Sequence, residues 1–280
     1  MIAAAVILSF FSCQKDSSDV EQSGINIADD DAVSNAIFDD VFNTEDNASI
    51  IIDQLTKGGS TKSDIIVADS CPTITLTNPE AGVWPKILTI DYGEGCTGFY
   101  DNTRSGKITI VLGGPRLEVG STRTVTFDNY YFNGIKVEGT KVVENTGYNA
   151  NQNLVFSVTL SGGRLTLPDG RYIERSFNHE REWIAGLNTL NIWDDECLIT
   201  GTASGTNLDG ISYTNTITTA LHWTRPCFFI VSGVVGIARE GKPDVVLDYG
   251  EGQCDAKATV TSNGVSREIT LRRRIRTMVQ

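Results

Sequence analysis

The chain is poor in the side chains on which most catalytic chemistry rests. It has two histidines in 280 residues, His179 and His222. Neither lies near a nucleophile elbow, so serine or cysteine hydrolysis lacks a recognisable base. No cluster of His, Cys and carboxylates has the close spacing of a zinc site, and no glycine-rich phosphate loop opens a helix. Long apolar runs are missing too. The longest, Ile2–Phe11, is about half of the roughly 20 residues a membrane-spanning helix needs. Nor is there a basic surplus: the formal net charge is -12, whereas nucleic acid is bound through a basic footprint that displaces phosphate counterions. These absences point away from nucleic acid, metal centres and bound cofactors, and towards a non-catalytic role.

The charge is unevenly spread. Residues 14–56 hold eleven acids and one base, and residues 57–280 hold 24 acids and 22 bases. The acidity therefore belongs to an N-terminal segment in front of a nearly neutral body. Residues 1–12 read as the hydrophobic part of an export signal. Cys13, after a short apolar run and Ser12, resembles the acylation site of a bacterial lipoprotein. Gln14-Lys15-Asp16-Ser17-Ser18-Asp19 resembles the acidic tag that sends lipoproteins of Bacteroidota-type bacteria to the outer face of the outer membrane. Residues 13–31 are too polar to bury much surface and read as a lipidated acidic linker. In residues 32–56, Ala32, Val33, Ala36, Ile37, Val41 and Phe42 recur at three-and-four spacing, which predicts one or two short amphipathic helices. They are expected to lie as an acidic lid on the body, or to dock a partner. Residues 57–63, rich in Gly and Ser, form a linker.

Residues 64–280 read as a single all-β domain. Twenty-seven glycines and abundant Thr, Val, Ile and Tyr favour strands and turns. Leu154, Phe156, Val158 and Leu160 alternate with polar neighbours, and so do Tyr213, Ile217, Leu221 and Trp223 around Ser212, Thr214, Thr216 and Thr218. Such alternation marks antiparallel strands with one face buried and one wet. Turn signals recur at Gly113-Gly114-Pro115, Asn133-Gly134, Gly162-Gly163, Pro168-Asp169-Gly170, Asp209-Gly210 and Asn263-Gly264. About fourteen strands are expected, in a large sandwich or an elongated twisted sheet.

The body is also internally duplicated. Ile90-Asp91-Tyr92-Gly93-Glu94-Gly95-Cys96 returns as Leu247-Asp248-Tyr249-Gly250-Glu251-Gly252-Gln253-Cys254, and Cys71 and Cys227 stand upstream of the two copies. Equivalence of the copies favours disulfides Cys71–Cys96 and Cys227–Cys254, as suits an exported chain. Cys197 is left as a small buried residue.

Two sets of residues carry possible chemistry. Asp91 and Glu94, with Asp101 or Asn102, and Asp248 and Glu251, with Asp255, offer oxygen ligands on glycine loops, which suits calcium. A structural turn accounts for the same residues, with positive φ at Gly93 and Gly95 and an aspartate bonding backbone amides. The second set is Glu180, Glu182 and Trp183 with Trp193, Asp194 and Asp195, aromatic rings beside carboxylates as a glycan-contact site uses. Glu180 and Glu182 share one side of a strand, as a pair of glycosidase carboxylates would. The charges from Arg171 to Glu182 also alternate in sign as on a solvated sheet. Arg267, Arg272, Arg273, Arg274 and Arg276 form a basic end able to meet the acidic N-terminal segment.

The order Cys71-Pro72 and Ile90–Cys96, then Ser105–Ile110, Val125–Tyr130, Asn133–Gly139, Leu167–Gly170, Ile192–Asp195 and Thr200–Thr206, resembles a group of uncharacterised Bacteroidota-type outer-membrane lipoproteins over most of residues 71–271. The resemblance implies a lipoprotein origin and an all-β body; it carries over no particular activity. The expected function is that of a cell-envelope lipoprotein: a surface-displayed binding or scaffold module contacting glycan or an envelope protein. A structural or assembly lipoprotein is the alternative, and a glycan-acting hydrolase a more distant one.

Overall fold

The computed structural model describes residues 20–57, 64–68, 71–98, 101–187, 189 and 191–272. Cys13, the signal segment, the acidic tag and Arg273, Arg274 and Arg276 lie outside them.

One antiparallel sheet makes up the body. Its strands are β1 (Asp64–Ala68), β2 (Thr73–Thr77), β3 (Lys86–Asp91), β4 (Cys96–Thr97), β5 (Thr103–Leu112), β6 (Thr122–Phe132), β7 (Ile135–Tyr148) and β8 (Leu154–Thr166). They continue as β9 (Tyr172–Ala185), β10 (Glu196–Thr206), β11 (Ser212–Thr224), β12 (Ser232–Arg239), β13 (Lys242–Glu251), β14 (Lys257–Ser262) and β15 (Val265–Thr270). Fourteen of them pair in chain order as a meander, and β4 pairs with β5 off that path. Among the described residues β1 and β15 do not pair with each other, so this is one large open sheet and not a closed barrel.

The second layer is one helix, α1 (Gln22–Lys57), of 36 residues. It overturns the expected short helices and the linker to residue 31: the helix begins ten residues earlier than residue 32 and is not a lid. Ile27, Ala28, Ala32, Val33, Ala36, Ile37, Phe38, Val41, Phe42, Ala48 and Ile52 are all buried in the common core. They cover more than the single stripe of a surface helix, as a helix enclosed by its neighbours requires. The sheet curls around α1, and the inner residues of its strands, such as Val125, Val143, Phe156, Trp183, Leu221 and Val245, share one buried core with it.

Curvature of this degree needs local kinks, and glycines supply them. The register slips at Gly106 in β5, Gly139 in β7, Gly162 in β8, Gly201 in β10 and Gly233 in β12. Bulges of this kind bend a strand and increase its twist. Gly162-Gly163 is thus a bulge within β8, not the turn its sequence suggests. At the hairpin tips, Asn133-Gly134 and Asn263-Gly264 both have positive φ throughout, the conformation that two-residue hairpins demand. On the outer face Thr75, Thr89, Thr109, Thr126, Thr140 and Ser161 stand opposite one another across six adjacent strands. This hydroxyl row, with exposed ion pairs beside it such as Lys107–Asp91 and Lys136–Glu138, keeps the convex side wet.

Disulfides Cys71–Cys96 and Cys227–Cys254 are formed as expected, and Cys197 is buried and free. The apolar runs after Cys71 and Cys227, Thr73–Leu76 and Phe228–Val231, read as equivalent strands, but only the first is one. Phe228–Val231 precedes the strand rather than forming it, and β12 and β13 join at Glu240-Gly241.

Four of the five bulge glycines, Gly106, Gly139, Gly201 and Gly233, leave no room for a side chain, while Gly162 faces open space. A Cβ at Gly201, whose φ is +126°, would stand 2.2 Å from the carbonyl oxygen of Asn178. Gly201→Ala is expected to cost more than about 2 kcal/mol in urea denaturation. Gly82→Ala, in an open loop with no atom within 4 Å, should cost only about 1 kcal/mol for its left-handed backbone.

Candidate functional site

The acids of α1 meet bases that the sheet turns inward. Asp46 accepts hydrogen bonds from Arg116 Nε at 2.7 Å and Arg123 Nη1 at 3.1 Å, and Glu45 lies 3.0 Å from Arg123 Nε and 2.9 Å from Lys141 Nζ. Asp31 pairs with Arg175, Asp39 with Arg181 and Asp40 with Arg104, while Asp29 accepts the backbone N–H of Arg272 at 3.1 Å. Arg175 and Arg181 therefore do not belong to a solvated face. Each projects from the inner side of β9 and is buried. Of the basic end, Arg272 does reach the helix.

Burial alone would raise the Asp46 carboxyl, yet Arg116 and Arg123 hold it below the usual carboxylate range. At Asp40 burial wins over Arg104 and pushes the carboxyl up. Burial draws the Lys141 ammonium below its usual range despite Glu45. Aromatic rings sit among these charges: Arg181 lies 4.3 Å from the Phe42 ring centre, and Arg123 lies 4.9 Å from that of Phe156. Cations over ring faces recover part of the solvation lost on burial.

The two Asp-Tyr-Gly-Glu-Gly copies grip this helix. Asp91 and Asp248 accept the backbone N–H groups of Gly93 and Gly250 at 2.9 and 2.8 Å, and both glycines have positive φ. The turns aim Tyr92 and Tyr249 inward, both buried, against Thr44 and Asn35 of α1. Thr44 and Asn35 are about 2.5 helical turns apart, so the tyrosines touch opposite sides of the helix. Glu94 and Glu251 point to solvent, and Asp91 pairs with Lys107 at 2.9 Å. Asn102 is buried and accepts from Asn133. Among the described residues no three acids, histidines or cysteines gather to hold a metal ion. The repeat is a turn.

The sheet leaves one stripe of α1 partly open. Asp40, Asn43, Thr44 and Asn47, spaced three and four apart, line a cleft of about 120 Å³ with Asn102, Arg104, Ile192, Trp193 and Arg225. Trp193 stands on a short 3-10 turn, Ile192–Asp194, whose N-cap Asn191 accepts the backbone N–H of Trp193. The turn is pinned on both sides. Asp194 accepts from Thr189 at 2.8 Å, and the buried Asp195 pairs with Arg225 at 2.9 Å.

The proposed glycan-contact residues are therefore split. Trp193 lines the cleft with 41% of its surface exposed, and Asp194 and Asp195 support its turn. Trp183 is buried against Phe42 and Phe156. Glu180 and Glu182 project from the opposite, outer face of β9, where Glu182 accepts from Asn153 at 2.7 Å. Strand alternation separates Trp183 from those acids, since odd and even positions face apart. His179 stacks on Phe177 with ring centres 4.3 Å apart, and His222 meets Glu196 at 2.7 Å. The polar stripe from Asp40 to Asn47 went unnoticed in the sequence, although its three-and-four spacing is the signal that marks it.

No protein-family model matches the chain, and comparisons with curated proteins and with solved structures return no similar protein.

Removing one member of the buried cluster strands its partners. Asp46→Ala should cost about 3–5 kcal/mol in urea denaturation, because Arg116 and Arg123 remain buried without it. Burial, helped by Arg175 and Arg181, holds His179 well below its ordinary 6.5. The unfolded chain then takes up a proton near pH 6.5 that the folded chain refuses. Stability present above that pH is lost as pH falls below it, with a slope approaching about 1.4 kcal/mol per pH unit. The same melts between pH 7 and 5 should show this contribution vanish in His179→Leu.

Proposed function

We propose that the protein is a lipoprotein of the bacterial cell envelope, held in the outer membrane by a lipid on Cys13 and displayed at the cell surface. There its β body serves as a binding module for glycan or an envelope protein. The observation that carries the binding reading is that α1 already occupies the concave side of the sheet. A ligand or partner meets the convex face, the strand ends or the Trp193 cleft. The resemblance of residues 71–271 to outer-membrane lipoproteins and the acidic tag after Cys13 support the address.

The path of the chain fits such a tether. Val20 is buried and lies seven residues after Cys13, a reach of at most about 25 Å. Glu21 pairs with Lys242 and Asn26 with Asp209, so a lipid on Cys13 keeps the β10–β11 and β12–β13 turns near the membrane surface.

Metabolic labelling with an alkyne fatty acid tests the anchor. Label should enter the wild-type chain and be absent from Cys13→Ala, and protease added to intact cells should cleave the wild type. An unlabelled wild-type chain refutes the reading.

A further inference from the structure

We propose that the cleft between the polar stripe of α1 and Trp193 binds a single neutral sugar unit, the indole lying against the C–H face of the ring. This rests on the reading of the body as a binding module and names the ligand class and the place.

Three observations lead there. The first is charge. Both cations of the cleft are engaged inside the protein, Arg104 by Asp40 and Arg225 by Asp195. No uncompensated charge is left for an anion, and burying one there would go unrewarded. The second is spare hydrogen-bonding capacity. The side-chain oxygens of Asn43 and Asn47 are out of contact with solvent and accept no hydrogen bond from any described residue. Shut off from water, these oxygens are also shut off from a ligand as the side chains stand. A turn of each amide about χ2 towards the cleft brings the unmet acceptor to a ligand's hydroxyl donor and recovers the free energy its isolation costs. Both residues lie on the stripe that lines the cleft. An apolar ligand would leave these oxygens unmet. A polyol with an aliphatic face satisfies amides and indole together.

The third is rigidity. Trp193 is presented by a turn held through its Asn191 cap, the Asp194–Thr189 bond and the buried Asp195–Arg225 pair. Little side-chain freedom remains to be lost on binding. The volume of about 120 Å³ suits one pyranose ring rather than a run of them.

Tryptophan emission reads the site directly. Trp183 and Trp223 are 2% exposed and Trp84 is half-buried, whereas Trp193 is open. The full chain carrying Cys13→Ser is titrated with the methyl glycosides of glucose, galactose, mannose and N-acetylglucosamine. Methyl glucuronide and inorganic phosphate serve as anionic comparisons. A saturable emission shift is expected for at least one neutral glycoside at about 1 mM. Trp193→Ala and Asn47→Ala should each weaken binding at least tenfold, with Trp193→Ala, which lacks the reporter, read by calorimetry. Tyr148→Ala, at an exposed aromatic elsewhere, should leave it unchanged. Thermal melts of the variants matching the parent assign any loss to the cleft. No saturable shift with any neutral glycoside, binding that survives both substitutions, or tighter binding of the anions overturns the proposal. A lipidated, surface-exposed chain that binds no glycoside sinks the site alone. Glycoside binding by a wild-type chain that takes up no lipid sinks the anchor alone.

Discussion

The structure depends on matching buried charges of opposite sign across the helix–sheet boundary. Seven acids of α1 and its approach, from Glu21 to Asp46, are paired with bases drawn from β5, β6, β7, β9, the β5–β6 loop, β13 and the chain after β15. The pairs of Asp31, Asp39, Asp40, Glu45 and Asp46 are buried or nearly so, and those of Glu21 with Lys242 and of Asp29 with Arg272 reach solvent. The imbalance between an acidic N-terminal segment and a nearly neutral body is the linear trace of this pairing. Taking so many ions out of water is expensive, and such pairs are weak evidence for net stability. They are strong evidence for register: a helix shifted by a few residues would strand Glu45 and Asp46 among apolar side chains, at several kcal/mol each.

Geometry and charge support each other. A flat sheet would offer bases to one side of a helix only. The bulges from Gly106 to Gly233 bring strands far apart in sequence to bear on different faces of α1. Tyr92 and Tyr249, placed by the two duplicated turns, then close on it from opposite sides. The duplication therefore serves enclosure: two equivalent corners, each closed by a disulfide, hold one central rod.

Much of this was legible from residue order. Strand alternation, Asn-Gly hairpins and the cysteine pairing are set by neighbours within about thirty positions, so local rules recover them. The length and placement of α1 were not, because its apolar and acidic residues take their meaning from partners 60 to 240 positions away. Sign alternation between Arg175 and Glu182 fits a solvated strand as well as a strand with arginines inside, and only the buried acids of the helix decide between them. Trp183 and Trp193 look alike beside their carboxylates, yet one lies on an inner strand position and the other on a pinned turn. The cleft was half legible: its helix stripe has a period that can be read, but its far wall arrives from residues near 193 and 225.

The helix also has a mechanical meaning. At 36 residues it is about 54 Å long, and it begins at the end of the chain nearest Cys13. A pull on the N-terminus is directed along its axis, parallel to its contacts with the sheet. Ion pairs loaded in that direction are sheared together rather than peeled one after another. The first element among the described residues is the axle of the fold, and force entering there is shared among strands drawn from the length of the sheet.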